Sequence, residues 1–184
     1  MRDFHSAIII AAVGSLLCGC FPPGNGSNGT SDAGGDSTGD FTVTLGKTEN
    51  ESFSRLTDGT TMEVVSGIQG GWHVEPALRM TDVSRDSFIT VVTYTITDAD
   101  TGDQISQSPS MYRIDAGAWE MDGNAYIRLR DQVRFDVSSA SEAAGRTVEL
   151  RVKVEIEEGG GFVVDTATVE LVDEVDELSG PQPG

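Results

Sequence analysis

A chain of 184 residues that sets 30 Asp and Glu against 12 Lys and Arg carries a formal net charge of −18. A surface of that sign repels phosphate backbones and anionic headgroups, which excludes nucleic acid and direct headgroup binding as partners. Both cysteines, Cys18 and Cys20, fall near the start, so the remainder has neither a disulfide framework nor a cysteine-based zinc site.

The first element is a short polar start, Met1 to Ser6, followed by the apolar run Ala7 to Leu17. That run is 11 residues long, against the ~20 needed to cross a bilayer as a helix, and reads as a secretion signal. Leu17-Cys18-Gly19-Cys20 at its end resembles the lipobox of bacterial lipoprotein signal peptides, with an aliphatic residue three positions before an invariant cysteine and a small one just before it. The competing register, with Cys18 acylated, puts Leu17 where a small side chain is needed. The resemblance implies cleavage after Gly19, a diacylglyceryl thioether with an amide-linked third chain on Cys20, and a protein anchored to a membrane of the cell envelope. One acyl chain binds only marginally, at about 10⁴ M⁻¹, whereas two or more hold stably. Phe21, rather than Asp, follows the cysteine; by resemblance to enterobacterial sorting this points to the outer membrane. Removal of residues 1–19 takes away one Arg and one Asp and leaves the net charge unchanged.

Residues 20–40 comprise the lipidated Cys20 and a stretch dominated by Gly, Ser, Thr, Asn, Asp and Pro, in which apolar side chains nearly vanish after Phe21. No core can form from that composition, so a disordered linker is expected, with a coil-like reach of roughly 25 Å. Gly24 to Gly29 spells GxGxxG, but a dinucleotide fingerprint needs a strand before it and a helix after it. The sequons at Asn28 and Asn50 are read as coincidence in a bacterial lipoprotein.

From Phe41 to Val172 the dominant pattern is period-two alternation broken by turn residues. Phe41, Val43 and Leu45 alternate with Thr42 and Thr44. The runs 53–56 and 62–65 flank Thr57-Asp58-Gly59-Thr60, where Asp-Gly predicts a hairpin. Residues 67–71 form a flexible turn into a strand with Trp72, Val74, Leu78 and Met80 on one face; Pro76 inside it predicts an edge position or a bulge. Residues 88–97 are the longest β-branched and aromatic run, with Phe88, Val92, Tyr94 and Ile96 on one side. Weaker strands are expected at 104–106, 111–114 and 118–121, and Asp122-Gly123-Asn124 predicts a hairpin into Ala125, Ile127 and Leu129. Residues 138–144 suit a single helical turn stopped by Gly145. In 147–156, Val148, Leu150, Val152, Val154 and Ile156 alternate strictly with charged or polar side chains, the mark of one buried and one wet face. Residues 157–161 return the chain into its antiparallel partner, 162–172.

Seven to nine short strands in about 130 residues predict an all-β fold, a single antiparallel β-sandwich of immunoglobulin-like type. A jelly roll is the alternative, since the Cys–Trp–Cys pattern of true immunoglobulins is absent. The acidic stretch 173–184 is expected to fray.

Two segments are candidate sites. Asp98, Asp100 and Asp103 place carboxylates at near-alternate positions, as calcium loops do. However, Gly102 is fifth where an EF-hand loop has its glycine sixth, and Ser110 falls near the place of the closing Glu. A plain solvated hairpin, with Asp and Gly as its turn residues, is the competing reading. Gln69-Gly70-Gly71-Trp72-His73 holds the single histidine that follows the signal segment, and paired glycines allow positive φ and a close backbone approach. No GxSxG elbow or HExxH motif accompanies that histidine. The Gln-Gly-Gly-x-His stretch, within residues 53–80, resembles a segment of uncharacterised predicted lipoproteins of myxobacteria and related deltaproteobacteria. The resemblance implies an exported lipoprotein with a compact β domain and no established activity.

The functional expectation is therefore a non-enzymatic, membrane-anchored lipoprotein at the cell envelope. Its acidic sandwich serves as a binding or structural module for an envelope protein or a carbohydrate, with no cofactor. A calcium- or small-ligand-binding accessory module is the second reading. A hydrolytic enzyme is disfavoured for want of a nucleophile–base pair.

Overall fold

The computed structural model describes residues 38–68, 70–84, 87–107 and 110–173. The signal segment, Cys20, most of the linker, Gln69 and residues 174–184 lie outside the described residues. Among the described residues no helix is long and apolar enough to cross a membrane.

The chain folds as a β-sandwich. One sheet has five strands in the order β2-β1-β5-β9-β8 and the other seven, β10-β4-β3-β12-β11-β6-β7. The strands are β1 (Thr42–Glu49), β2 (Ser52–Arg55), β3 (Thr60–Ser66), β4 (Trp72–Val74), β5 (Pro76–Thr81) and β6 (Ile89–Asp98). They continue as β7 (Ser110–Asp115), β8 (Glu120–Asp122), β9 (Ala125–Arg128), β10 (Val133–Arg134), β11 (Thr147–Ile156) and β12 (Phe162–Asp173). A 3-10 turn at Ala116–Ala118 occupies part of the span expected as a strand at 118–121. One helical turn, α1 (Ala140–Ala143), forms where the Ser/Ala run predicts it, and Gly145 follows at φ +80°, the left-handed conformation that ends helices.

The alternation in β6 and β11 translates directly into packing. Val92, Tyr94 and Ile96 are buried on β6, as are Val148, Leu150, Val152, Val154 and Ile156 on β11. They join Val43 and Leu45 of β1 and Leu78 and Met80 of β5 in one core, so the two sheets bury their apolar faces against each other. Burying a Val or Leu side chain contributes about 1.5–3 kcal/mol.

Three details depart from the pattern. Asp58-Gly59 makes a turn, with Thr60 N–H donating to the Thr57 carbonyl at 3.0 Å and Gly59 at φ +80°, but no hairpin. β2 belongs to the five-stranded sheet and β3 to the seven-stranded one. The turn docks on β12 instead, through Gly59 N–H to the Thr168 carbonyl at 2.9 Å and Thr168 N–H to Asp58 Oδ1 at 3.1 Å. β3 consequently runs parallel to β12, Val169 facing Thr60, the one parallel pair among the described strands. The real hairpin lies one step earlier, where Asn50 and Glu51, at φ +49° and +60°, join β1 to β2. Two successive positive φ values match the twist that two-residue hairpins require.

The strand expected through Pro76 is two strands. β4 pairs with β3 and β10, and β5 pairs with β1 and β9, so the chain changes sheet at Glu75. Pro76 is neither on an edge strand nor in a bulge. It takes the first position of a central strand, where its missing N–H costs no ladder bond. Its carbonyl accepts the Asp131 N–H at 2.9 Å.

Candidate functional site

The glycine-rich segment and the acidic turn are both built around backbone geometry. Gly67 to Gly71 closes the β3–β4 hairpin through Gly67 N–H to the Gly71 carbonyl and Gly70 N–H to the Gly67 carbonyl, each 2.9 Å. Gly70 and Gly71 both take φ +85°, and a Cβ on either would meet nothing within 4 Å. Their glycine requirement is therefore conformational, with no neighbour held close. Trp72 packs half-buried against the core. His73 is buried on β4, with Nε2 3.3 Å from Glu75 Oε1.

Asp98 ends β6 and is only 6% exposed. Its Oδ1 accepts the N–H groups of Asp100 and Thr101 at 3.0 and 3.1 Å, and its Oδ2 accepts from Arg146 at 2.8 Å. The Thr101 N–H, then the Arg146 guanidinium, hold this carboxyl below its ordinary value. Asp100 and Asp103 stay exposed. Asp98 thus organises a turn and pairs with an arginine, and the three aspartates are not brought together. Among the described residues no group of three His, Cys, Asp or Glu side chains could hold a metal ion.

A second buried carboxylate, Asp131, lies in the short passage from β9 to β10 and is 2% exposed. The Tyr94 hydroxyl donates to its Oδ2 at 2.7 Å, and Arg128 Nε donates to its Oδ1. Burial pushes its pKa up despite the pull of both partners. Burial, followed by the Asp131 charge, pushes the Tyr94 phenol well above its ordinary value. Tyr112 stacks edge-on to Tyr94 with ring centroids 6.3 Å apart and donates to the Gln132 carbonyl. This cluster pins the irregular stretch where the chain crosses between the sheets.

A concavity of about 460 Å³ is lined by residues of β1 in one sheet and β3 in the other. Buried Met62 and half-buried Val65 and Val172 give it an apolar lining. Lys47, Glu49, Glu63, Glu75 and Arg130 bring charge to it. Lys47 is paired with Glu49 at 2.8 Å, Arg130 with Glu51, and Glu75 with His73. The Thr48 hydroxyl is buried there and has no hydrogen-bond partner among the described residues.

Sequence reasoning singles out His73 and Asp98 and passes over the buried Asp131 and the groove-lining Thr48 and Glu63. One signal for Asp131 was available: a tyrosine on the inward face of a central strand needs an acceptor for its hydroxyl. Thr48 and Glu63 look like ordinary strand residues, and only the approach of two separate sheets makes them neighbours of one groove.

Comparison with protein-family models and with curated proteins finds no match. Among solved structures, the chain is similar to the CooA pilin subunit from enterotoxigenic Escherichia coli at 14% identity and a TM-score of 0.38, over 72% of this chain and 99% of that one. It is similar to the N-terminal domain of PorA at 11% identity and a TM-score of 0.34, over 72% of this chain and 98% of that one. The class defined by the chain's own strands is an all-β, two-sheet sandwich.

Proposed function

We propose that the chain is a lipid-anchored envelope protein whose β-sandwich acts as a non-enzymatic binding or structural module. The observation that carries the second half is the commitment of its buried polar groups to structure. Asp98 holds a turn and Arg146, Asp131 holds Tyr94 and Arg128, and His73 faces Glu75. None of the three presents a nucleophile beside a base, which is what covalent hydrolytic catalysis needs. The anchor rests on the resemblance of Leu17 to Cys20 to a lipobox, and the Gln-Gly-Gly-x-His segment agrees with an exported lipoprotein. Outer-membrane placement rests on Phe21 after the acylated cysteine.

The anchor is tested by metabolic labelling with an alkyne palmitate. The wild-type chain takes up the label and pellets with membranes. Cys20→Ser takes up none and appears in the soluble fraction; a Cys20→Ser protein that still pellets with membranes overturns the anchor.

A further inference from the structure

We infer that the free edge of β7 pairs antiparallel with the β7 edge of a second copy of this chain, joining two seven-stranded sheets across a two-fold axis at Ile114. The inference goes beyond the reading above and needs only the folded domain.

β7 is the end strand of the larger sheet and pairs with β6 alone among the described strands. The Ala116 N–H reaches the Phe88 carbonyl at 2.9 Å, and hydrogen-bonded pairs alternate along an antiparallel ladder. Tyr112 and Ile114 therefore bond to β6, while Met111, Arg113 and Asp115 turn their N–H and C=O groups away from it. The other sheet ends offer less. β8 has three residues, β10 two and β2 four. β10 is also covered, since Gln107 N–H donates to the Arg134 carbonyl at 2.8 Å and Ser106 bridges to Phe135. The six residues of β7 hold no proline, lysine or bulge, the devices by which natural edges resist pairing. Met111 on this edge is 60% exposed.

Charge selects both the register and the occupant. Met111, Arg113 and Asp115 stand in a row on the exposed face of β7. A two-fold axis at Ile114 sets Arg113 of each copy opposite Asp115 of the other, in pairs that exchange both main-chain hydrogen bonds. Opposite charges in cross-strand pairs attract, and like charges in the same place destabilise. An axis at Arg113 instead brings two guanidinium groups face to face. An axis at Tyr112 pairs Arg113 with Met111 and leaves Asp115 without a cation. One register thus matches both charges, and symmetry makes it do so twice, as an isologous contact between identical strands requires. Both groups have capacity to spare. Arg113 gives its Nε and Nη2 groups to Glu157, each at 2.9 Å, and its Nη1 group remains for a second acid. Asp115 precedes the 3-10 turn without capping it through a side-chain hydrogen bond. The charge of −18 on each copy repels at long range, but a Debye length of ~8 Å at physiological ionic strength confines that repulsion.

The test is light scattering behind size exclusion, with the full-length chain in neutral detergent at rising protein concentration. The wild-type protein mass rises from one copy to two. Arg113→Asp and Asp115→Arg each weaken association about tenfold, because two attractive pairs become repulsive. Mixed in equal amounts, these two variants pair with each other, since every acid then faces an arginine. Asp115→Pro removes an N–H that the second copy needs. Asp115 already has φ −75°, within the range of proline, and its N–H faces away from β6. That variant therefore keeps its thermal melt and stays a single copy. A wild-type chain that remains single at every concentration overturns the proposal and leaves the edge to a strand of another protein. A dimer that survives Asp115→Pro overturns it too, as does a mixture of the two charge variants that fails to pair, because the contact then lies elsewhere. Cys20→Ser, run without detergent, gives the same masses, so loss of the anchor alone leaves this inference standing.

Discussion

Asp98 and Asp131 are both nearly inaccessible to solvent, yet their surroundings drive their acidities in opposite directions. Asp98 ends a strand and faces two backbone N–H groups and an arginine, three donors for one carboxylate. Asp131 is sunk between the sheets with a phenol and an arginine, and two donors do not offset its loss of water. The difference teaches that low accessible surface alone does not set the state of an acid: Asp131 lies deep enough for lost water to outweigh its two partners, whereas Asp98, covered but shallow, is governed by the donors aimed at it. It also separates two uses of a carboxylate, one shaping a local turn and the other tying distant segments together, since Tyr94 and Asp131 are 37 residues apart.

The largest expected effect is at Asp131. Asp131→Ala strands the Tyr94 hydroxyl in the core and leaves Arg128 without its acid. The cost is about 3 kcal/mol, the low end for a broken buried pair, because the Arg128 side chain is 27% exposed and keeps some water. Urea melts measure it, and a loss under about 1 kcal/mol removes Asp131 from its tying role. Tyr94→Phe comes next at about 1–2 kcal/mol, since it deletes one hydrogen bond and leaves Arg128 on the carboxylate. Smallest is the effect of acidity, read from melts between about pH 7 and pH 3. The native Asp131 carboxyl binds its proton more tightly than the unfolded chain does. Its contribution to stability therefore grows as pH falls through its raised value toward the ordinary 3.8, and Asp131→Asn abolishes that gain. Asp98 has the reverse sign: its contribution is present above 3.8 and is lost as pH falls through its lowered value. Asp98→Asn accordingly flattens the decline at the acid end. Equal pH profiles for the two variants would erase the distinction between the sites.

The same pair shows what could be read before folding. Asp98 stands among Asp, Thr and Gly, residues whose turn chemistry is local, so its neighbourhood is written in adjacent letters. The burial of β6 and β11 was equally legible, because a period of two needs no knowledge of the partner strand. Asp131 depends on Tyr94 across the sandwich, and the groove on Thr48 and Glu63 from different sheets. Asp58-Gly59 marks this limit best. The dipeptide correctly announces a reversal, but whether the strands on either side pair with each other depends on what else competes for their edges. Here β12 takes β3 and β1 takes β2. Pro76 likewise signals an interruption without revealing that the chain changes sheets there.

The parallel join of β3 to β12 has a consequence for how the larger sheet closes. β12 is wedged between β3 and β11. Without it, β10-β4-β3 and β11-β6-β7 are two separate ladders of strands. Residues 162–173 are thus the seam of that sheet, and a variant lacking them would leave two pieces with nothing to join them.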